Sequence, residues 1–162
     1  MDGRTALATG TKLTFHNREG GAISYVVQRE IGRGGSCIVY DASYKDNLGN
    51  NKLVRIKECC PFGLSMAREE DGTLAVDERD RQDFETYKAR MIEAYQQNHD
   101  LFCVPALANH VANSSNIYEH GGTVYIVSTW LNGETLAAHH CASLHECVVL
   151  LTSAGRVLQR IH

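Results

Sequence analysis

The sequence predicts an α+β fold with an antiparallel sheet placed first. Three observations predict it. Runs of β-branched and aromatic residues, broken by glycine- and asparagine-rich turns, fill residues 23–57 and 115–129. Asp77 to Gln97 contains no Gly or Pro and spaces Phe84, Tyr87, Met91 and Tyr95 as one face of a helix. From Leu144 onward, Val148, Leu151, Leu158 and Ile161 continue a second apolar helical stripe.

The elements follow in chain order. Residues 1–22, rich in Gly and Thr, are expected to be a loosely ordered lead-in. Ile23 to Ile31 reads as a strand, and after a glycine cluster Ile38-Val39-Tyr40 reads as its partner. Asn47 to Lys52 is a hairpin-type turn into a third strand, Leu53 to Lys57. The helix over 77–97 comes next. Gly121-Gly122 then precedes a strand over Thr123 to Val127, with a partner around Ser115–Glu119, and the second helix closes the order.

Composition bounds the function. The chain has 162 residues, enough for one domain with a real core. Its 16 Lys+Arg against 19 Asp+Glu give a net charge of −3, which argues against coating nucleic acid or an anionic membrane. No run approaches the roughly 18–20 apolar residues of a membrane span. Met1 to Phe15 lacks a basic end followed by an apolar run, so no secretory leader is expected and the location is read as cytoplasmic. The six cysteines include no CxxC pair and read as reduced thiols, mostly core fillers. One cluster stands out: His139-His140-Cys141, with His145 and Cys147 downstream. Cys141 and His145 lie four apart and could share a helix face toward zinc. A polar helix start explains the same residues more simply, and no metal is expected.

The chemistry lies in the glycine cluster. Ile31-Gly32-Arg33-Gly34-Gly35-Ser36-Cys37-Ile38-Val39-Tyr40 is a Gly-x-Gly loop between two strands. Glycines there let a hairpin approach phosphates closely and offer backbone N–H groups. A plain glycine-rich β-turn gives the same string. A dinucleotide-binding reading needs a helix after the loop, and Gly10-Thr11-Lys12 does not match a P-loop. A strand–loop–strand setting instead predicts a lysine on the next strand, and Val54-Arg55-Ile56-Lys57 supplies it.

With these residues the sequence resembles the protein kinase family, bacterial serine/threonine kinases in particular. Gly32 to Val39 is similar to the glycine-rich loop GxGxxGxV, and Lys57 to the lysine that pairs with the α/β-phosphates. The 77–97 helix sits where the family has helix αC. Tyr125 to Leu136 resembles the fifth strand, gatekeeper and hinge, and Leu144 to His162 resembles helix αE. The resemblance covers about residues 23–162. It implies a kinase-like N-lobe (a five-stranded antiparallel sheet plus helix αC) over 23–131 with the hinge, then an incomplete C-lobe with helices αD and αE over 132–162.

The resemblance also implies roles. Ile31 and Val39 would sandwich adenine, Gly32, Gly34 and Gly35 would cover the phosphates, and the backbone of Thr129 and Leu131 would hydrogen-bond the base. Ser128 would be a small gatekeeper. Lys57 would neutralise the phosphates while held by a carboxylate of αC, with Glu85 chosen over Glu93 because its neighbours suit an inward side chain. Read from the strand alone, Lys57 is a lysine on an exposed face, and the hinge is a buried strand ending in a turn.

Three departures from the pattern bear on activity, and one further feature bears on packing. Cys37 replaces the third loop glycine. Arg55, two before Lys57, faces the same way and should crowd adenine or swing toward the phosphates. The sequence stops at His162, where the family's base and Mg²⁺ ligands would follow, so this chain alone is expected to be inactive. The αE stripe needs a cover, since each such side chain left in water forgoes roughly 1.5–3 kcal/mol. Three readings stay open: the ATP-binding lobe of a serine/threonine kinase, a pseudokinase-type module that senses nucleotide or docks a partner through αE, and an α+β domain with a coincidental loop.

Overall fold

A computed structural model describes residues 3–16 and 20–161. His162, the expected end of the last helix, and residues 1–2 and 17–19 of the expected lead-in lie outside the described residues.

Strands β1 (Lys12–His16), β2 (Ala22–Arg33), β3 (Cys37–Lys45) and β4 (Asn51–Cys59) form an antiparallel meander. A small separate hairpin follows, β5 (Met66–Arg68) with β6 (Leu74–Val76). Helix α1 (Arg81–Phe102) leads to β7 (Ser114–His120) and β8 (Thr123–Thr129), and α2 (Leu144–Ile161) comes last. The main sheet has six strands in the order β1-β2-β3-β4-β8-β7. It curls until its two edges meet: Phe15 of β1 stacks on Tyr118 of β7, ring centroids 4.3 Å apart. The result is a nearly closed barrel.

This corrects the expected fold. The kinase-like N-lobe, a five-stranded sheet plus helix αC, is replaced by a six-stranded, barrel-like antiparallel sheet with two helices. The additional strand is β1, inside the stretch read as a loose lead-in. Its five residues alternate, with Leu13 and Phe15 buried and Lys12 and His16 outward, so it contributes two side chains to the interior. A strand this short, set among Gly and Thr, gives little pattern to read.

Period-two alternation sorts β3 and β4 into two faces. Ile38, Tyr40 and Ala42 face inward with Val54, Ile56 and Glu58, and all six are buried. Val39, Asp41, Arg55 and Lys57 face outward. Strand β8 is buried from Thr123 to Ser128 because α1 covers its outer side and the barrel interior its inner side. Such double burial explains its unbroken apolar run. At the β7–β8 turn, Gly122 has φ +77° and a Cβ would come within 2.7 Å of the Leu74 carbonyl oxygen, so glycine is required there.

Among the described residues, Glu58 and Arg68 form a charged pair in the interior. Glu58, fully buried, accepts from Tyr40 Oη at 2.7 Å, Tyr125 Oη at 2.9 Å and Arg68 Nη2 at 2.9 Å. Burial first, and then the Glu58 charge, pushes the Tyr40 and Tyr125 hydroxyls up. Burial opposes the Arg68 charge, but the adjoining carboxylate outweighs it and the guanidinium is held more firmly protonated. Arg68 also donates to the Thr5 carbonyl, pinning hairpin and N-terminal segment together over the barrel end.

Helix α2 buries no side chain. It touches the one-turn helix Ala108–His110, and Leu144, Val148, Leu151, Leu158 and Ile161 are exposed. It is the one helix described between β8 and Ile161, so no separate αD is seen among the described residues. No helix among the described residues is long and apolar enough to cross a membrane.

Candidate functional site

The glycine-rich segment is the β2–β3 hairpin. Gly32 pairs with Val39 at its base, and Ile31 is the extra residue of a β-bulge, exposed at the rim. Gly34 N–H donates to Cys37 O at 2.9 Å, closing the turn. The turn is braced from outside: Phe62 N–H donates to Gly35 O, Cys60 N–H to Ser36 O, and Arg4 Nη1 to Gly34 O. Among the described residues no acceptor meets the N–H groups of Gly35 and Ser36.

None of Gly32, Gly34 and Gly35 has a positive φ, and a Cβ on Gly32 or Gly35 would meet nothing within 4 Å. Neither turn geometry nor packing therefore demands glycine at those two positions. What the missing side chains leave is clear space over the hairpin.

Lys57 lies directly across from Val39 on one side and Ile126 on the other, all three on the outer face. It is exposed and makes no ion pair among the described residues. The partner the resemblance gives it is engaged elsewhere: Glu85 accepts from Lys88 Nζ at 3.2 Å. Lys88, only 8% exposed, also reaches Glu119 on β7 at 2.8 Å. Burial alone would lower its pKa, but the two carboxylates reverse the sign and raise it. Glu85 and Glu119 are themselves largely exposed, so this ion pair is half in solvent.

Arg55, beside Lys57 on the same face, bends along the sheet to Asp41 at 3.4 Å, and Arg29 meets the same carboxylate at 3.0 Å. Asp41 and Ser128 are the two cross-strand neighbours of Arg55, which stands where the resemblance would put adenine. Its Nε is buried without a hydrogen-bond partner. Ser128 is buried and shares a 3.3 Å contact with the Ser114 hydroxyl. The N–H of Thr129 donates to Asn113 O, while Leu131 is exposed in the irregular segment that follows.

The hairpin glycines, Val39 and Lys57 are therefore brought to one face, and Glu85 is not brought to Lys57. Sequence reasoning missed Glu58, although the alternation Val54, Ile56, Glu58 already turned it inward. It also missed Lys88, one turn after Phe84 on the buried face of α1, and the Arg29–Asp41–Arg55 cluster. The last has no signal in any single strand, because the register of three strands makes it.

At the start of α2 the pairing weighed for zinc, Cys141 with His145, is replaced by a different grouping. His139, Cys141 and Glu146 bring one donor atom each to within 4.8 Å of one another. The segment before α2 turns back at Thr135, whose carbonyl accepts from His139 N–H. Ser143 Oγ accepts from Glu146 N–H, and Glu146 Oε2 accepts from Ala142 N–H, a reciprocal cap of the helix. His139 lies between two carboxylates, Nδ1 on Glu134 at 2.7 Å and Nε2 on Glu146 at 3.2 Å, and the hydrogen bonds to Glu134 and then Glu146 raise its pKa.

No family model matches the chain, and no curated protein matches it.

Proposed function

We propose that this chain binds a nucleotide, ATP being the reference ligand, by holding its phosphates between the β2–β3 hairpin and Lys57. The observation that carries the reading is the register of Val39 with Lys57, which sets an exposed, unpaired ammonium beside a hairpin with open space over Gly32 and Gly35. The unengaged N–H groups of Gly35 and Ser36 suit phosphate oxygens, as a backbone anion nest does. Arg29, Arg55 and Lys57 against Asp41 leave the face electropositive.

Phosphoryl transfer is not proposed for this chain alone. Asp41, the carboxylate of that face, is engaged by two guanidinium groups and is not placed to take a proton or hold Mg²⁺. The reading is therefore a binding module of the cytoplasm, where thiols such as Cys37, Cys59 and Cys103 suit a reducing medium.

Calorimetric titration with ATP tests it. Saturable binding should weaken about tenfold or more in Lys57→Ala, as expected for loss of a charge-assisted bond of roughly 1.5–3 kcal/mol. No binding at millimolar ATP, or equal binding by the variant, would contradict it.

A second reading, docking of a protein partner, is favoured by α2, whose Leu144, Val148, Leu151, Leu158 and Ile161 are exposed along one helix. With a second copy of this chain as that partner, sedimentation would show concentration-dependent association for the native chain and none for Leu151→Glu/Leu158→Glu.

A further inference from the structure

We propose that His139, Cys141, Glu146 and Cys147 form a zinc site that fastens the segment after β8 to the first turn of α2. Three donor atoms of different chemistry, one imidazole nitrogen, one thiol sulfur and one carboxylate oxygen, already lie within 4.8 Å of one another. Tetrahedral zinc with bonds of about 2.0–2.3 Å sets its ligands roughly 3.3–3.8 Å apart. The His139 Nε2 to Glu146 Oε1 separation is 3.2 Å, so these three donors need a contraction on the order of 1 Å elsewhere.

Cys147 supplies the fourth donor. It follows Glu146 on the first turn of α2, half-buried, and is near enough to Cys141 for the two thiols to act on each other electrostatically. Two sulfurs, one nitrogen and one oxygen match the borderline-soft preference of zinc and disfavour magnesium or calcium, which take oxygen sets.

The surroundings point the same way. Glu134 holds Nδ1 of His139 at 2.7 Å and leaves Nε2 facing Glu146, the carboxylate–histidine arrangement that orients a zinc-bound imidazole. Glu134 is thus a positioning residue. The capping bonds fix Glu146 through Oε2, so Oε1 remains directed at the site. The bound ion would exchange the Glu146–His139 hydrogen bond for two metal bonds. Residues 130–143 contain neither helix nor strand, and a cross-link from 139 and 141 to 146 and 147 is what would give them a fixed course into α2. The site shares no residue with the hairpin or Lys57 and does not rest on nucleotide binding.

Cobalt(II) titration of the full chain tests the site, with zinc displacement as confirmation. The native chain should bind Co²⁺ one to one with intense tetrahedral d–d bands and a thiolate-to-cobalt charge-transfer band, both abolished by equimolar Zn²⁺. Cys141→Ser should remove about half of the charge-transfer intensity, as should Cys147→Ser, and His139→Ala should abolish tight binding. Glu134→Gln should weaken zinc about 10–100-fold with unchanged spectra. His145→Ala should bind as the native chain does. Weak octahedral cobalt spectra, or charge-transfer bands that survive Cys141→Ser at full intensity, would overturn the proposal. Each variant alters an exposed or half-exposed side chain, and far-ultraviolet circular dichroism verifies its fold.

Discussion

Phe15 and Tyr118, on the two edge strands of the sheet, stack with ring centroids 4.3 Å apart and planes 10° from parallel. Phe15 also meets Tyr25 and Tyr125, so one side chain from a five-residue strand ties both edges to the interior. This contact makes the sheet a nearly closed barrel and leaves β3 and β4, with the candidate site, on its outer wall.

Phe15→Ala should therefore cost about 3–5 kcal/mol of unfolding free energy in urea titrations. A double-mutant cycle with Tyr118→Ala should return a coupling of about 0.5–1.5 kcal/mol. A zero coupling would mean that the edges do not meet in solution.

The Glu58–Arg68 pair predicts an asymmetry. Glu58→Ala strands a guanidinium whose side chain is 8% exposed and should destabilise by about 3–5 kcal/mol. Replacing the pair together, as Glu58→Met/Arg68→Met, should recover part of that loss, the remainder being the Tyr40 and Tyr125 hydroxyls left without their acceptor. Additive losses in the double variant would contradict the buried-network account.

Two glycines should behave oppositely. Gly122→Ala, at positive φ and 2.7 Å from a carbonyl oxygen, should destabilise by more than about 1 kcal/mol. Gly35→Ala, in open space at an ordinary φ, should leave stability unchanged or raise it by up to about 1 kcal/mol, while weakening ATP binding. Equal stability losses would show that the hairpin glycines are structural after all.

Most strands and both helices were legible because each carries its own period. The α2 stripe repeats at helical spacing, and Ile38, Tyr40 and Ala42 on β3 and Val54 and Ile56 on β4 recur every second residue. The barrel was not legible, since closure depends on the β1–β2 pairing and on a ring contact between residues 15 and 118. The nearness of the hairpin to Lys57 could be read because a loop and the following strand place them locally. Glu85 could not be assigned, because its partner depends on how α1 lies on β7, where Lys88 reaches both Glu85 and Glu119.

Asp77 sets a pH dependence. The hydrogen bonds from Arg79, side chain first and then backbone, hold its carboxyl at about 2, below the ordinary 3.8. A depressed pKa stabilises the fold above the unfolded value and loses that contribution as pH falls. The stability difference between native chain and Asp77→Asn should therefore be constant above about pH 5 and shrink between about pH 4 and 2. A difference independent of pH would rule out this cap.

Burial first, then neighbouring thiols, pushes the Cys59 thiol up to about 12, and Cys59 and Cys60 are 0% and 1% exposed. Iodoacetamide at pH 8 should label exposed Cys103 in the native chain and reach Cys59 and Cys60 only in denaturant. Native labelling of Cys59, read by peptide mass, would contradict the packing of β4 against β3.

Amide chemical shifts during an ATP titration test the nucleotide site most directly. The account predicts saturable shifts concentrated on Gly34 to Val39 and on Arg55 to Lys57, lost in Lys57→Ala. Shifts scattered over other surfaces, or none at millimolar ATP, would contradict it.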